Sequence, residues 1–228
     1  MNASTRIFVA ALFMTLILSV SVSAPAQQAQ NVLRYVGFSP VPPADKLECR
    51  LAVAYAVNRD AIASALSARR LLGTGAPAYS IQSPRLPGYD ASIRWPSFDA
   101  AKAKEYYAQC GWQGPLVIAT GQVTTDFTRT LASALQESLR SALGVQVNLD
   151  QADDFNTLVS KIRAGRIAIH ALGWQADPRD YGYPSMALGL ANELFQDPEV
   201  RELVAKRDGP ATERLLLQKM WAIPILIF

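Results

Sequence analysis

The chain has 228 residues, half of them apolar and 18% charged, with a formal net charge of +3. Aromatic residues run throughout, so the composition is globular and not disordered. The 22 basic residues form no cluster interleaved with aromatics, which removes the electrostatic footprint of a nucleic-acid binder, and a single histidine with two separated cysteines offers no metal-ligand spacing. No cofactor is implied.

Arg6 precedes an apolar run from Ile7 to about Val22, followed by Ala24-Pro25-Ala26 and a Gln-rich stretch. A basic start, a short apolar core and a small-x-small site read as a cleavable signal peptide over residues 1–26. The run is short for a bilayer span, which takes about 20 apolar residues. Export would place residues 27–228, as one domain, in a periplasmic or extracellular setting. There Cys49 and Cys110 meet an oxidising environment, and both a disulfide and two separate buried thiols stay open.

Residues 32–38 read as a strand, and Ser39-Pro40-Val41-Pro42-Pro43 as a loop, because proline fixes φ and lacks the amide donor. Asp45 is a candidate cap for a helical pattern from Leu47 to Ala68, and Asn58-Arg59-Asp60 can divide that pattern and cap a second helix. Residues 73–96 form a long loop rich in Gly and Pro. Ala100–Gln109 is a helix closed by Gly111, Pro115–Thr120 a strand, and Phe127–Leu143 an amphipathic helix ended by Gly144. Val145–Leu149 alternates as a strand, and Asp153 or Asp154 caps a helix to Ala164. Gly165 then turns the chain into a strand over Arg166–Gly173. Two short helices, Pro198–Lys206 and Pro210–Met220, each begin with proline, and Ile223–Phe228 is a buried strand. Alternating strands and helices predict an α/β domain around a mixed sheet flanked by helices.

Four segments carry a family likeness. Cys49 to Ile62, with Arg50 and Tyr55-Ala56-Val57-Asn58-Arg59-Asp60, is the first; Asn58 stands where the family pattern has Asp. Phe98-Asp99-Ala100-Ala101-Lys102 through Cys110-Gly111-Trp112 is the second, and Leu143-Gly144-Val145 with its flanking helix and strand the third. Gly173-Trp174-Gln175-Ala176-Asp177-Pro178 is the fourth. In this order they resemble the family 5 extracellular solute-binding proteins, the peptide, nickel and related receptors of ABC importers.

The resemblance implies one lobe, the C-terminal one, of a two-lobed periplasmic-binding-protein-like clamshell. It implies a non-catalytic, substrate-binding role towards a peptide or similar small solute, with an ABC permease as partner. In peptide-binding members the Asp of Gly-Trp-x-Ala-Asp pairs with the ligand's α-ammonium group beside the Trp. That singles out Asp177 and Trp174, with Gly173 and Ala176 between and before them, as ligand-binding positions. The other reading of these two is an ordinary turn residue and a core tryptophan. Arg85, Tyr89, Arg94 and Tyr181 are weaker candidates for reaching ligand. Family members build most of another lobe before entering this one, so a second chain supplying the missing lobe, an interaction module and a non-functional remnant are alternatives.

Against an enzyme, there is no Gly-x-Ser-x-Gly elbow, and His170 sits in an apolar strand-like run, as a satisfied core histidine would. Asp153-Asp154 and the pair Asp177 and Asp180 read as solvated caps or turns. Gly73-Thr74-Gly75 lacks a preceding strand and reads as a turn, not a phosphate cradle.

Overall fold

The computed structural model describes residues 32–86, 88–175 and 197–228, together with Ala187 and Ala191. The expected signal peptide, and Ala176, Asp177, Pro178, Asp180 and Tyr181, lie outside the described residues. In chain order the elements are β1 (Val32–Phe38), α1 (Leu47–Ala56), α2 (Arg59–Ala68), β2 (Ala76–Pro77), α3 (Ala100–Cys110), β3 (Leu116–Thr120) and α4 (Asp126–Leu143). They continue as β4 (Val147–Gln151), α5 (Phe155–Arg163), β5 (Ile169–Gln175), α6 (Pro198–Ala205), α7 (Gly209–Gln218) and β6 (Ala222–Ile227). No helix among these residues is long and apolar enough to cross a membrane.

Local chemistry sets most helix ends. The Asn58 side chain accepts from the Ala61 amide and divides the first helical pattern into α1 and α2. Asp99 caps α3, Asp154 caps α5, Asp197 caps α6 and Asp208 caps α7. Gly111 and Gly144 end α3 and α4 at φ 70° and 72°, where a side chain would be strained. Asp45 is not the cap of α1. Lys46 occupies that position, and the Asp45 carboxylate accepts only the Lys46 amide.

The six strands form one mixed sheet in the order β2-β6-β1-β5-β3-β4. β3 runs parallel to both β4 and β5, while β1 is antiparallel to β5 and β6. Two strands start later than alternation predicts. β4 begins at Val147 and β5 at Ile169, the residues that face Leu116, Phe38 and Ile118 on neighbouring strands. Local pattern shows where a strand can form; the partner's register decides where it begins. The Gly/Pro-rich loop contributes β2, two residues paired with β6.

The core spans both the sheet and the helices, with Leu33, Val36, Ala52, Leu66, Ile118, Leu139 and Leu226 all at 2% exposure or less. The two arginines of the Cys49–Ile62 segment are built into it. Arg59 donates from Nε to the Pro224 carbonyl (2.7 Å) and from Nη1 to Pro96 (2.9 Å), and its guanidinium lies 4.9 Å from the Tyr79 ring centroid. Arg50 reaches the carbonyls of Lys219 (2.8 Å) and Ala44 (2.7 Å) and stacks 4.0 Å over Trp221. Burial pulls both guanidinium pKa values down to about 10, so both stay charged at neutral pH. Their role is to bolt α1 and α2 to β6 and its approach, with carbonyls as acceptors in place of ion pairs.

Cys49 and Cys110 are joined in a disulfide that links α1 to the last residue of α3, with the Cα atoms 4.8 Å apart. The long loop is held by Glu213 of α7, which is 1% exposed and accepts from the amides of Ile81 (2.7 Å) and Gln82 (3.0 Å). Burial raises the Glu213 pKa, and the two amide bonds pull it back. Glu213→Ala strands both buried amides and is expected to cost about 2–4 kcal/mol. Urea unfolding checks this, with Glu213→Gln, which keeps one acceptor oxygen, losing distinctly less.

Candidate functional site

At the carboxyl ends of β3 and β5 the sheet opens into a cavity of about 210 Å³. The topology explains its position. From β3 the chain crosses through α4 to β4 on one side, then returns through α5 to β5 on β3's other side. Right-handed crossovers place α4 and α5 on opposite faces, so the chain diverges between β3 and β5. In open α/β sheets that divergence is where ligands bind.

The floor is Thr120 and Gly121 from β3, Ala171 to Gly173 from β5, and Arg34 and Tyr35 from β1. Thr128, Leu131 and Leu135 of α4 form one wall, and Phe155 at the start of α5 stands at the rim, 57% exposed. Gln122 donates its side-chain amide to the Asp153 carbonyl and so ties together the loops that follow β3 and β4.

Register brings the polar groups together. Gly173 faces Arg34, and Thr120 faces Ala171, so alternation puts all four on the α4 side of the sheet. A Cβ at Gly173 would lie 2.2 Å from Arg34 Nη1. The glycine is what lets the guanidinium lie against the strand. Arg34 is flanked by the Phe127 ring, 5.3 Å from the guanidinium carbon to the ring centroid. Its Nε is buried without a hydrogen-bond partner, and so is the Thr120 hydroxyl. Burial lowers the Arg34 pKa, and no acidic group among the described residues offsets it.

Of the predicted ligand positions, Gly173 therefore lines the cavity. Trp174, one residue on, alternates to the other side of the sheet opposite Leu33 and is half-buried against the core. Ala176 and Asp177 follow the end of β5 and lie outside the described residues. Tyr89 and Arg94 line a separate hollow of about 140 Å³ in the Pro-rich loop, where Arg94 stacks 4.2 Å from the Tyr79 ring centroid. Arg85 lines neither space.

A larger hollow of about 380 Å³ lies at the opposite ends of the parallel strands, between Pro42, Trp112, Val117 and Ile167. It sits at the amino ends of β3 and β5, away from the divergence, and none of its lining residues carries an orphaned buried polar atom. The smaller cavity is the better site on both counts.

His170 is fully buried, but it is not the satisfied core histidine the sequence predicts. Neither ring nitrogen has a hydrogen-bond partner, and the ring packs on Gly37 and edge-on to Tyr35 at 6.0 Å. Burial pushes its pKa down to about 3, leaving it neutral. Arg34 and Thr120 are the site residues that sequence reasoning missed. A lone arginine inside a strand looks solvent-facing, and only the β1–β5 register reveals the glycine opposite it.

Among solved structures the fold is similar to that of the Escherichia coli murein tripeptide binding protein MppA, with a TM-score of 0.69 at 21% identity over 88% of this chain and 43% of that one. It is also similar to Haemophilus influenzae OppA in complex with RPPGFSPFR (TM-score 0.68, 15% identity, 88% and 43% covered). Burkholderia pseudomallei OppA gives a TM-score of 0.66 at 19% identity over the same shares. The chain thus spans less than half the length of these proteins. No curated protein matches it significantly. The family model for bacterial extracellular solute-binding proteins, family 5 Middle, matches residues 9–195. With that match over most of its length, on a fold of this kind, the chain belongs to the family 5 bacterial extracellular solute-binding proteins.

Proposed function

We propose that this chain is a substrate-binding component, or one lobe of such a component, of an ABC importer, exported behind its N-terminal apolar segment and binding peptides or similar small solutes. The observation that carries the reading is the cavity at the β3/β5 divergence, with Gly173 on its floor and an exposed Phe155 at its rim. A cavity there, with few polar groups on a mostly apolar lining, is the form that small-solute sites take. The Cys49–Cys110 disulfide supports an oxidising compartment outside the cytoplasm. Two of the similar proteins are a murein tripeptide binding protein and an OppA solved in complex with RPPGFSPFR, and a peptide is the corresponding expectation here.

In this reading Asp177 pairs with the solute's ammonium group, just beyond the end of β5. A carboxylate in a partly dehydrated cleft holds an ammonium more tightly than one in water. The role is binding, not catalysis. An ABC permease receives the solute, and a second chain supplying the other wall of the cleft would raise affinity by covering more of the ligand.

A thermal melt of the purified protein, with and without millimolar mixed di- to pentapeptides, tests the proposal. A ligand at 100 times its Kd stabilises by about 2.7 kcal/mol, and Asp177→Ala is expected to abolish the shift. A cooperative melt that no peptide moves would sink the stand-alone peptide receptor and direct the search to a partner chain.

A further inference from the structure

On the face of the sheet opposite α4, the middle of β3 is left bare. β3 has parallel strands on both sides, and such strands ordinarily have both faces covered. Leu116 and Ile118 are buried, yet Val117 between them is 46% exposed. Val117 lines the hollow of about 380 Å³ at the amino ends of the parallel strands, a volume within the usual range of about 300–1,000 Å³ for a whole small ligand. The walls of this hollow are fixed. The Trp112 ring lies against Gly114, where a Cβ would come within 3.1 Å of the indole, and its N–H donates to the Pro115 carbonyl at 3.3 Å. Gly165 turns at φ 66° against Val41, and both belong to the lining.

The lining is poor in donors and carries two opposite charges. Pro42, Pro43 and Pro115 have no amide hydrogen, and the indole N–H of Trp112 is already spent. Asp150 and Arg166 line the same hollow, but neither side chain bonds or pairs with the other or with any other described residue. Register sets them towards opposite ends. Asp150 stands opposite Ala119, which faces His170 inside β5, whereas Arg166 precedes β5 by three residues. The offset along the strands is up to roughly 13 Å, at about 3.3 Å per residue. Between the two charges lie Val117 and Ile167.

This arrangement selects among charged ligands. An α-amino acid carries both charges on one carbon and reaches only one of the two residues. A peptide would lay its amide carbonyls on a surface with no donor to pair them, which is costly. An aliphatic chain with a charge at each end meets neither difficulty. We propose that the hollow is a second binding site, separate from the cavity at the carboxyl ends, for a linear ω-amino acid whose ammonium meets Asp150 and whose carboxylate meets Arg166. The site stands whether or not the cavity binds peptides.

The test is an NMR titration of the full protein with millimolar ω-aminooctanoate, octanoate and octylamine. It is followed at the Trp112 indole N–H, which Trp112→Phe identifies. ω-Aminooctanoate is expected to move this resonance and to bind about two- to fivefold more tightly than either of the other two, the gain from one more exposed ion pair. Asp150→Asn should lower its affinity to that of octanoate, and Arg166→Gln to that of octylamine. Both residues are exposed, so these variants keep the fold. Val117→Lys, which puts a long charged chain on the floor, should abolish the response. Octanoate or octylamine binding as tightly as the zwitterion overturns the proposal, and so does a Trp112 resonance that none of the three moves. A response that persists undiminished in Val117→Lys puts the compound elsewhere and overturns it as well.

Discussion

Replacing both Cys49 and Cys110 by serine is expected to lower the unfolding free energy by about 4 kcal/mol. The bridge closes a loop with a sequence separation of 61 residues, and the chain entropy it removes from the unfolded state grows with the logarithm of that length. The native state gives the bridge little else to do, since α1 and α3 already pack side by side, with Tyr55 and Tyr106 stacked at 5.6 Å and Lys46 bonded to the Cys110 carbonyl. For a chain of this size, 4 kcal/mol corresponds to a fall in Tm of roughly 8–16 °C. Guanidinium unfolding of the oxidised protein, the reduced protein and the double serine variant measures it. A loss below about 1 kcal/mol would mean that the unfolded chain keeps these two helices together without the bond.

The second large effect is on pH dependence. The His170 pKa falls from 6.5 in the unfolded chain to about 3 in the fold because the ring is wholly buried. Between those values the unfolded chain binds a proton that the folded chain refuses, so stability rises with pH. The loss on acidification approaches about 1.4 kcal/mol per pH unit below the unfolded pKa. Glu213 acts in the other direction, since its raised pKa lets the folded chain hold a proton longer than the unfolded one. The informative quantity is therefore the difference between the unaltered protein and His170→Leu. Denaturant titrations from pH 7 to pH 4 should show the unaltered protein losing stability faster than the variant, by roughly 2–3 kcal/mol across the window. Parallel curves would mean that His170 gains a proton inside the fold.

Both effects come from residues whose importance the sequence only partly discloses. Cap chemistry is local, which is why Asn58, Gly111, Gly144 and Asp154 could be placed from neighbouring residues alone. The starts of β4 and β5 depend on strands far away in sequence, and there the alternation pattern ran two and three residues early. The α/β class and the mixed sheet were legible, because proline, glycine and apolar periodicity all pointed the same way. The lining of the candidate cavity was legible at one position. Gly173 carried a family motif; Arg34, across the sheet, carried none. Its meaning arises from a cross-strand pair separated by more than a hundred positions in the chain, and from the emptiness of the glycine it lies on. The bridge between Cys49 and Cys110 was undecided for the same reason, since only the packing of α1 on α3 brings the two sulfurs together.

The pairing of β1 with β6 has a mechanical consequence. The Phe228 amide donates to the Val32 carbonyl at 3.0 Å, so the two ends of this sheet segment leave the fold side by side. Anything attached through both points would be carried on a pair of adjacent strands about 5 Å apart. This strap of two strands also touches the cavity, because the Phe228 ring packs edge-on to Phe127 at 5.8 Å and Phe127 flanks the Arg34 guanidinium, so a pull on this end of β6 reaches the cavity wall.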